Sequence, residues 1–191
     1  MFLNKAITKR LMKKAAKSDC LKVGRLFDGD YVVAGASWTI NVDRDTMPNW
    51  FKAVIVEYAG ELPEEMGELW EVFESDKQST LLTEFYDLNR YKGMPYIVTP
   101  VIYDKNTRIV QDMTTHKYAG MLQFCMDWID LSEIDQSMEG SVLGPNVTDT
   151  GFYVWYSGTM RLAVMAGVKT DKFQDILDAF EGIVFAERSV R

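Results

Sequence analysis

Two stretches of the chain each read as strand, tight turn and strand, and they restrict the fold more than any other feature. The later one is GFYVWYSGTMRLAVMAG, residues 151–167, and the earlier one is GDYVVAGASWTINV, residues 29–42. In the earlier stretch apolar residues alternate with polar ones, which is the pattern of a strand with one buried face. We therefore expect antiparallel β-meanders, with Trp38, Ile40 and Val42 directed into the core.

Helical patterns stand on both sides of each meander. At the N-terminus Leu3, Ile7, Leu11 and Ala15 recur every four residues and predict one apolar helix stripe. The other predicted helices cover residues 46–60, 116–130 and 170–182. A further hairpin is predicted over residues 96–113, where Pro95 and Pro100 favour a position at the edge of a sheet.

The order helix, meander, helix therefore occurs twice, at a nearly constant offset that sets Tyr31 against Tyr153. This order favours a diverged internal duplication within one compact domain, with residues 1–60 as the first half-repeat and 96–191 as the second. Residues 61–95 form an acidic connecting segment. The predicted fold class is α+β, with antiparallel β-meanders packed on helices in two diverged tandem half-repeats. The alternative is that two unrelated hairpins packed on helices look alike at this level.

Charge is distributed very unevenly along the chain. The net charge is −7, yet residues 1–25 hold eight Lys or Arg against Asp19 alone. A basic amphipathic helix on an acidic body favours contact with a polyanion through that one element. The alternative is a solubilising helix face. The candidate nucleic-acid-binding residues are Lys5, Lys9, Arg10, Lys13 and Lys17.

The stretch SGTMRLAVM, residues 157–165, resembles a strand-turn-strand stretch of the sliding-clamp superfamily of DNA polymerase processivity factors. Arg161, Leu162 and Ala163 match that stretch, and Gly158 matches its turn glycine with one extra residue between. The resemblance implies a clamp-like fold whose helices line a channel for duplex DNA. It assigns the DNA contacts to Lys5 and its neighbours. Because 191 residues supply only two half-units, a complete ring would require a homo-oligomer.

The connecting segment carries the densest run of carboxylates. If the segment is helical, the spacing of these residues places several of them on one face. One interpretation is a solvated helix with Leu69, Trp70 and Phe73 on its buried side. The alternative is an acidic DNA mimic that inhibits a nucleic-acid enzyme, as in the anti-restriction and anti-CRISPR classes. The residues concerned are Glu61, Glu64, Glu65, Glu68, Glu71 and Glu74.

Motifs for catalysis are missing from the sequence. It has no phosphate-binding glycine loop, no nucleophile elbow and only one histidine, His116, so we expect no enzyme activity, no metal and no cofactor. It also has no secretory signal and no long apolar run, which favours a cytoplasmic protein without a membrane partner. We expect a DNA-associated binding protein from a phage or mobile element, whose partner is duplex DNA or a nucleic-acid-processing protein. An acidic inhibitor and a purely structural module remain as alternatives.

Overall fold

The computed structural model describes residues 1–73, 76–91, 93–130, 142–165, 167–168 and 174–185. The helices are α1 (Lys5–Lys17), α2 (Asn49–Ala59), α3 (Phe124–Trp128) and α4 (Gln174–Ala179). The strands are β1 (Leu21–Arg25), β2 (Tyr31–Gly35), β3 (Trp38–Val42), β4 (Glu68–Val72), β5 (Lys77–Leu81), β6 (Gly93–Tyr103), β7 (Thr107–Asp112), β8 (Tyr118–Leu122), β9 (Leu143–Thr148), β10 (Tyr153–Tyr156), β11 (Met160–Val164) and β12 (Gly167–Val168).

The described strands form one antiparallel sheet, in the order β12-β8-β7-β6-β9-β10-β11-β3-β2-β1-β4-β5. The predicted meanders correspond to β1 to β3 and to β10 and β11, and they meet at the centre of the sheet because β11 pairs with β3. In that pairing Leu162 lies opposite Ile40. Strand β9, which was not predicted, pairs with β10 and extends the second meander to three strands. The antiparallel sheet with its packed helices confirms the predicted α+β class.

Three helices cover one face of the sheet and share its main core. Met12 of α1, Ile55 of α2 and Trp128 of α3 are fully buried there. Trp128 packs edge-on against Trp38 of β3, with ring centroids 5.6 Å apart. The predicted burial of Trp38, Ile40 and Val42 is confirmed, since each is at most 6% exposed. Burial of this apolar surface is the principal favourable contribution to folding at this face.

The opposite face of the sheet is also covered, by residues 82–91, here called the crossing segment. This segment contains two short 3₁₀ turns, Glu84–Tyr86 and Leu88–Arg90. Leu88 packs against Val154 and Ala163 on this face. As a result Thr39 and Asn41, expected on an exposed face, are buried as deeply as their apolar neighbours. The predicted one-sided burial of β3 is therefore wrong, because a loop covers its second face.

The connecting segment and the helix predicted over 116–130 also differ from expectation. Residues 68–72 and 77–81 are strands β4 and β5 rather than helix. Residues 118–122 are strand β8, and only the five residues of α3 are helical. Tyr118 and Met121 of β8 belong to separate apolar clusters, so both faces of this strand are covered. A short strand that is buried on both faces has apolar residues at irregular spacings, and these can look like the spacing of a buried helix.

The position predicted for the 96–113 hairpin is wrong, although the hairpin itself forms. Strand β6 lies inside the sheet, between β7 and β9. Pro95 is opposite Asn146 of β9, and the pairing with β7 becomes irregular between Val98 and Ile102. Pro100 falls in that irregular stretch. A proline has no N–H to donate to a neighbouring strand, and here the regular hydrogen bonding between the strands is already broken.

The two central meanders have matching registers. Tyr31 lies opposite Val42 in the first, and Tyr153 lies opposite Val164 in the second. The adjacent pair agrees as well, since Tyr31 is opposite Arg25 and Tyr153 is opposite Val147. The sequence offset from Tyr31 to Tyr153 thus carries three strands onto three strands, and the register agrees except in the β9–β10 pair, where it shifts between Val154 and Tyr156. The origin of this match in a duplication stays a hypothesis.

Candidate nucleic-acid interface

Helix α1 begins at a well-defined cap that ties it to α3. The side chain of Asn4 accepts a hydrogen bond from the Ile7 N–H at 3.1 Å, which satisfies one free donor of the first turn. The Asn4 N–H donates to the Trp128 carbonyl at 2.7 Å. Inside the helix, Thr8 accepts a hydrogen bond from the Trp128 indole N–H at 2.8 Å. These bonds fix which side of α1 faces the core.

The buried side of α1 is rotated from the predicted stripe. Thr8, Met12, Ala15 and Ala16 are buried, whereas Ile7 and Leu11 are only half-buried. Leu3 precedes the helix and forms an isolated bridge with Ile129. The Thr8–Trp128 bond explains the rotation, because a hydroxyl with an indole partner can occupy a core position. The sequence did contain a signal for this buried side, because Thr8, Met12 and Ala15 are spaced like residues on one face of a helix.

The predicted basic residues form an exposed surface on α1. Each of them is exposed, and Lys14, which sequence analysis left out, is exposed beside them. Among the described residues no carboxylate is ion-paired with any of these side chains. The helix itself contains no acidic residue. This surface, the α1 basic face, consists of Lys5, Lys9, Arg10, Lys13, Lys14 and Lys17.

The length of the α1 basic face suits an extended anionic ligand. At a helical rise of 1.5 Å per residue, the backbone from Lys5 to Lys17 spans about 18 Å. Duplex DNA carries one charge for about every 1.7 Å of its axis, so several phosphates fall within that length. At one end the Lys5 ammonium lies 5.8 Å from the centre of the Trp50 ring, on α2. This half-buried ring is a contact that sequence analysis missed.

The carboxylates of the connecting segment do not form the predicted row. Glu61, Glu64 and Glu65 lie in the loop before β4, and the first of them pairs with Lys77 at 2.6 Å. Glu68 and Glu71 lie on β4, three residues apart, and therefore point to opposite faces of the strand. Glu74 lies outside the described residues. The expected single helical face of carboxylates is wrong.

Two of the acidic side chains have local structural partners. Glu71 is ion-paired with Lys22 of the neighbouring strand β1. Glu68 accepts a hydrogen bond from the Trp70 indole N–H at 2.5 Å. The Glu71 pair links β1 to β4, whereas the Glu68 bond lies within β4, and both carboxylates are therefore less free to imitate a phosphate backbone.

The residues of the clamp resemblance lie away from α1. Gly158 is in the turn between β10 and β11, and Arg161 lies on β11 opposite Asn41 of β3. Leu162 is buried in the helix-covered core. Since neighbouring strand residues alternate between faces, Arg161 lies on the face that carries the crossing segment. The half-buried Arg161 and the α1 basic face are thus on opposite sides of the sheet.

The two cysteines are free, one half-buried and the other buried. Burial raises the pKa of the Cys125 thiol to about 12, so this cysteine is not a thiolate at neutral pH. Cys20 is half-buried and its thiol lies 3.4 Å from the Ala15 carbonyl. Across the described part of the chain, no three His, Cys, Asp or Glu side chains are grouped as a metal site would need.

Comparison with protein-family models, curated proteins and solved structures finds no match for this chain. Within the described residues, no helix combines the length and the apolar character that crossing a bilayer requires. The α1 basic face and the surfaces around it are therefore the features that bear on function.

Proposed function

We propose that this protein is a non-enzymatic, clamp-like DNA-associated binding protein that contacts duplex DNA through the α1 basic face. The observation that carries the proposal is six exposed cations on one helix, without an ion-paired carboxylate among the described residues, in a chain of net charge −7. The acidic remainder of the surface repels a polyanion and so orients it toward α1. We place this activity in the cytoplasm and assign the protein to a phage or mobile element.

The clamp-like part of the proposal has two supports. One is the resemblance of residues 157–165 to the clamp stretch. The other is the pair of in-register meanders that meet at β3 and β11, as two tandem half-repeats would. A ring around duplex DNA would require several copies of the chain, so native mass measurement with and without duplex DNA tests this part separately.

The DNA contact is tested by reversing three charges on the exposed side of α1. Lys5, Lys9 and Lys13 are replaced together by Glu, which leaves the buried residues Thr8 and Met12 unchanged. The affinity for a short duplex is measured at several salt concentrations. The slope of log affinity against log salt should fall by about 0.9 for each phosphate that the variant no longer reaches, and by about 2.7 if all three lysines bind phosphates in the parent.

A control variant carries the same charge change away from α1. Arg44, Lys105 and Lys117 are exposed and are replaced together by Glu. This variant should keep most of the salt slope, since its altered charges lie outside α1, in the loops after β3, β6 and β7, where salt screens them. Absence of duplex binding by the parent protein, or equal slopes for the two variants, would overturn the proposal. Circular dichroism confirms that both variants remain folded.

A further inference from the structure

Large apolar side chains are exposed together at one end of the sheet, beside edge strand β5. Phe27 is 75% exposed, Met66 60% and Leu81 84%. The Phe27 ring lies directly over Gly67, where an added Cβ would come within 2.5 Å of a ring carbon. Gly67 is next to Met66, and the following residue, Glu68, is opposite Leu81. Scattered exposed apolar residues are ordinary, but a cluster of this kind is typical of a binding surface.

Phe27 also forms the rim of a groove of about 390 Å³. The groove runs between the β1–β2 turn and the start of the crossing segment. Its floor includes Leu26, which is 2% exposed and packs with Val32 and Leu69. Leu82 and Thr83 of the crossing segment form the other wall. The groove is therefore apolar at its base and large enough to receive a side chain.

Carboxylates surround this groove. Asp28, Glu84 and Asp87 line it, together with one cation, Arg90. The Arg90 guanidinium is already held by Glu84 at 2.7 Å and by Asp87 at 3.3 Å. The lining is therefore net negative. The loop that carries Glu64 and Glu65 continues to Gly67 at the Phe27 ring, and the Arg25 guanidinium donates to the Glu64 carbonyl there. An incoming cation would meet several carboxylates at this rim.

We propose that this surface, the Phe27 groove, docks an extended segment of a partner protein in which an apolar side chain stands next to Lys or Arg. The apolar side chain enters between Phe27 and Leu82, and the basic neighbours meet the carboxylates of the rim. We choose this occupant because its basic residues complement the negative charge of the groove lining. A nucleic acid would be repelled here.

A second copy of this chain does not suit the groove as well. Its largest concentration of cations is α1, whose Met12 is fully buried and whose Ile7 and Leu11 are half-buried against the core. Helix α1 therefore presents lysines without an exposed large apolar side chain beside them. The Phe27 groove needs both in one segment.

The test selects a displayed library of random short peptides on the full chain and measures the enriched consensus peptide by fluorescence anisotropy. The consensus should place an aromatic or aliphatic residue beside Lys or Arg. Phe27→Ser should weaken its binding about tenfold or more, as truncation of a binding hot spot does. Asp28→Asn should weaken it less and reduce its salt dependence.

The control variant is Met165→Ser, which removes an apolar side chain that is 52% exposed just after the central strand β11 and should leave peptide binding unchanged. Thermal denaturation shows whether both serine variants stay folded, as the exposure of the two positions leads us to expect. The proposal is overturned if no peptide is enriched, if the consensus lacks basic residues, or if Phe27→Ser binds it normally. Self-association in sedimentation that Phe27→Ser abolishes would overturn it too, by making a second copy the occupant.

Discussion

At the scale of single residues, Asn41 determines how the crossing segment lies on the sheet. Its side chain, 1% exposed on β3, donates to the Tyr86 carbonyl at 2.9 Å and accepts from the Leu88 N–H at 2.7 Å. These bonds satisfy two backbone groups that the segment would otherwise bury without a partner. An amide is suited to this place because it can donate and accept at once.

Replacing Asn41 by Ala should lower the free energy of unfolding by about 1 to 3 kcal/mol, because the Leu88 N–H and Tyr86 carbonyl lose their partner in a buried place. Urea denaturation measures the change. Asn89→Ala is the comparison, since the side chain of the exposed Asn89 donates to the Asp28 carboxylate at 3.2 Å and supports no buried backbone group. That variant should be nearly as stable as the parent. Equal losses in the two variants would contradict the role given to Asn41.

Asp30 makes stability depend on pH. Burial, with repulsion from the Asp28 and Asp43 carboxylates, raises its pKa to about 6, and Arg161 only partly opposes this. The folded state therefore favours the protonated form. The stability that Asp30 contributes is present below its unfolded pKa of about 3.9 and is lost as the pH rises through about 6.

Asp30→Asn should remove this dependence, because an amide stays uncharged across the range. The variant should gain stability relative to the parent between about pH 4 and about pH 7. Urea denaturation at a series of pH values compares the two. Curves that stay parallel across this range would show that Asp30 titrates normally in the folded protein.

At the scale of elements, the sequence predicted those marked by a local signal and missed strands that carry none. The α1 basic face and the central hairpins were predicted because one-sided patterns and tight turns are local signals. Strand β4 was missed because Leu69 and Trp70 are buried on opposite faces, which leaves no alternation to read. The Phe27 groove could not be predicted either, since it joins a turn to residues more than fifty positions later.

The Thr8 hydroxyl holds helix α1 against α3 through its hydrogen bond with the Trp128 indole. Thr8→Val keeps the shape of the side chain but leaves the buried Trp128 indole N–H without its acceptor, so it should cost about 1 to 3 kcal/mol. Thr8→Ser keeps the hydroxyl and should cost less than about 1 kcal/mol, for one methyl group. Urea denaturation and the indole N–H signal in NMR distinguish the two. An unchanged indole signal in Thr8→Val would contradict this account.

At the scale of the whole molecule, the pairing of β11 with β3 joins the two meanders into one structure. Leu162 and Ile40 face each other there and both are fully buried. The main core extends across this junction, with residues from both meanders. The two meanders should therefore lose their structure together.

Leu162→Ala tests this cooperativity. It should cost about 2 to 5 kcal/mol through reduced burial and the cavity left behind. Hydrogen exchange should then speed up in β1 and β2 as much as in β9 and β10, since all of them open in one transition. Faster exchange confined to residues 142–165 would show instead that the second meander unfolds alone.

The same junction has a consequence during synthesis on the ribosome. Strand β3 emerges early, but the strand that covers its free edge emerges only after more than a hundred further residues. At translation rates of about 5 to 20 residues per second, that edge stays open for roughly 6 to 25 seconds. Trp38, Ile40 and Val42 lie along it, so the nascent chain displays an apolar strand suited to unwanted pairing. The growing polypeptide therefore keeps this edge open to such pairing until its β11 residues leave the exit tunnel.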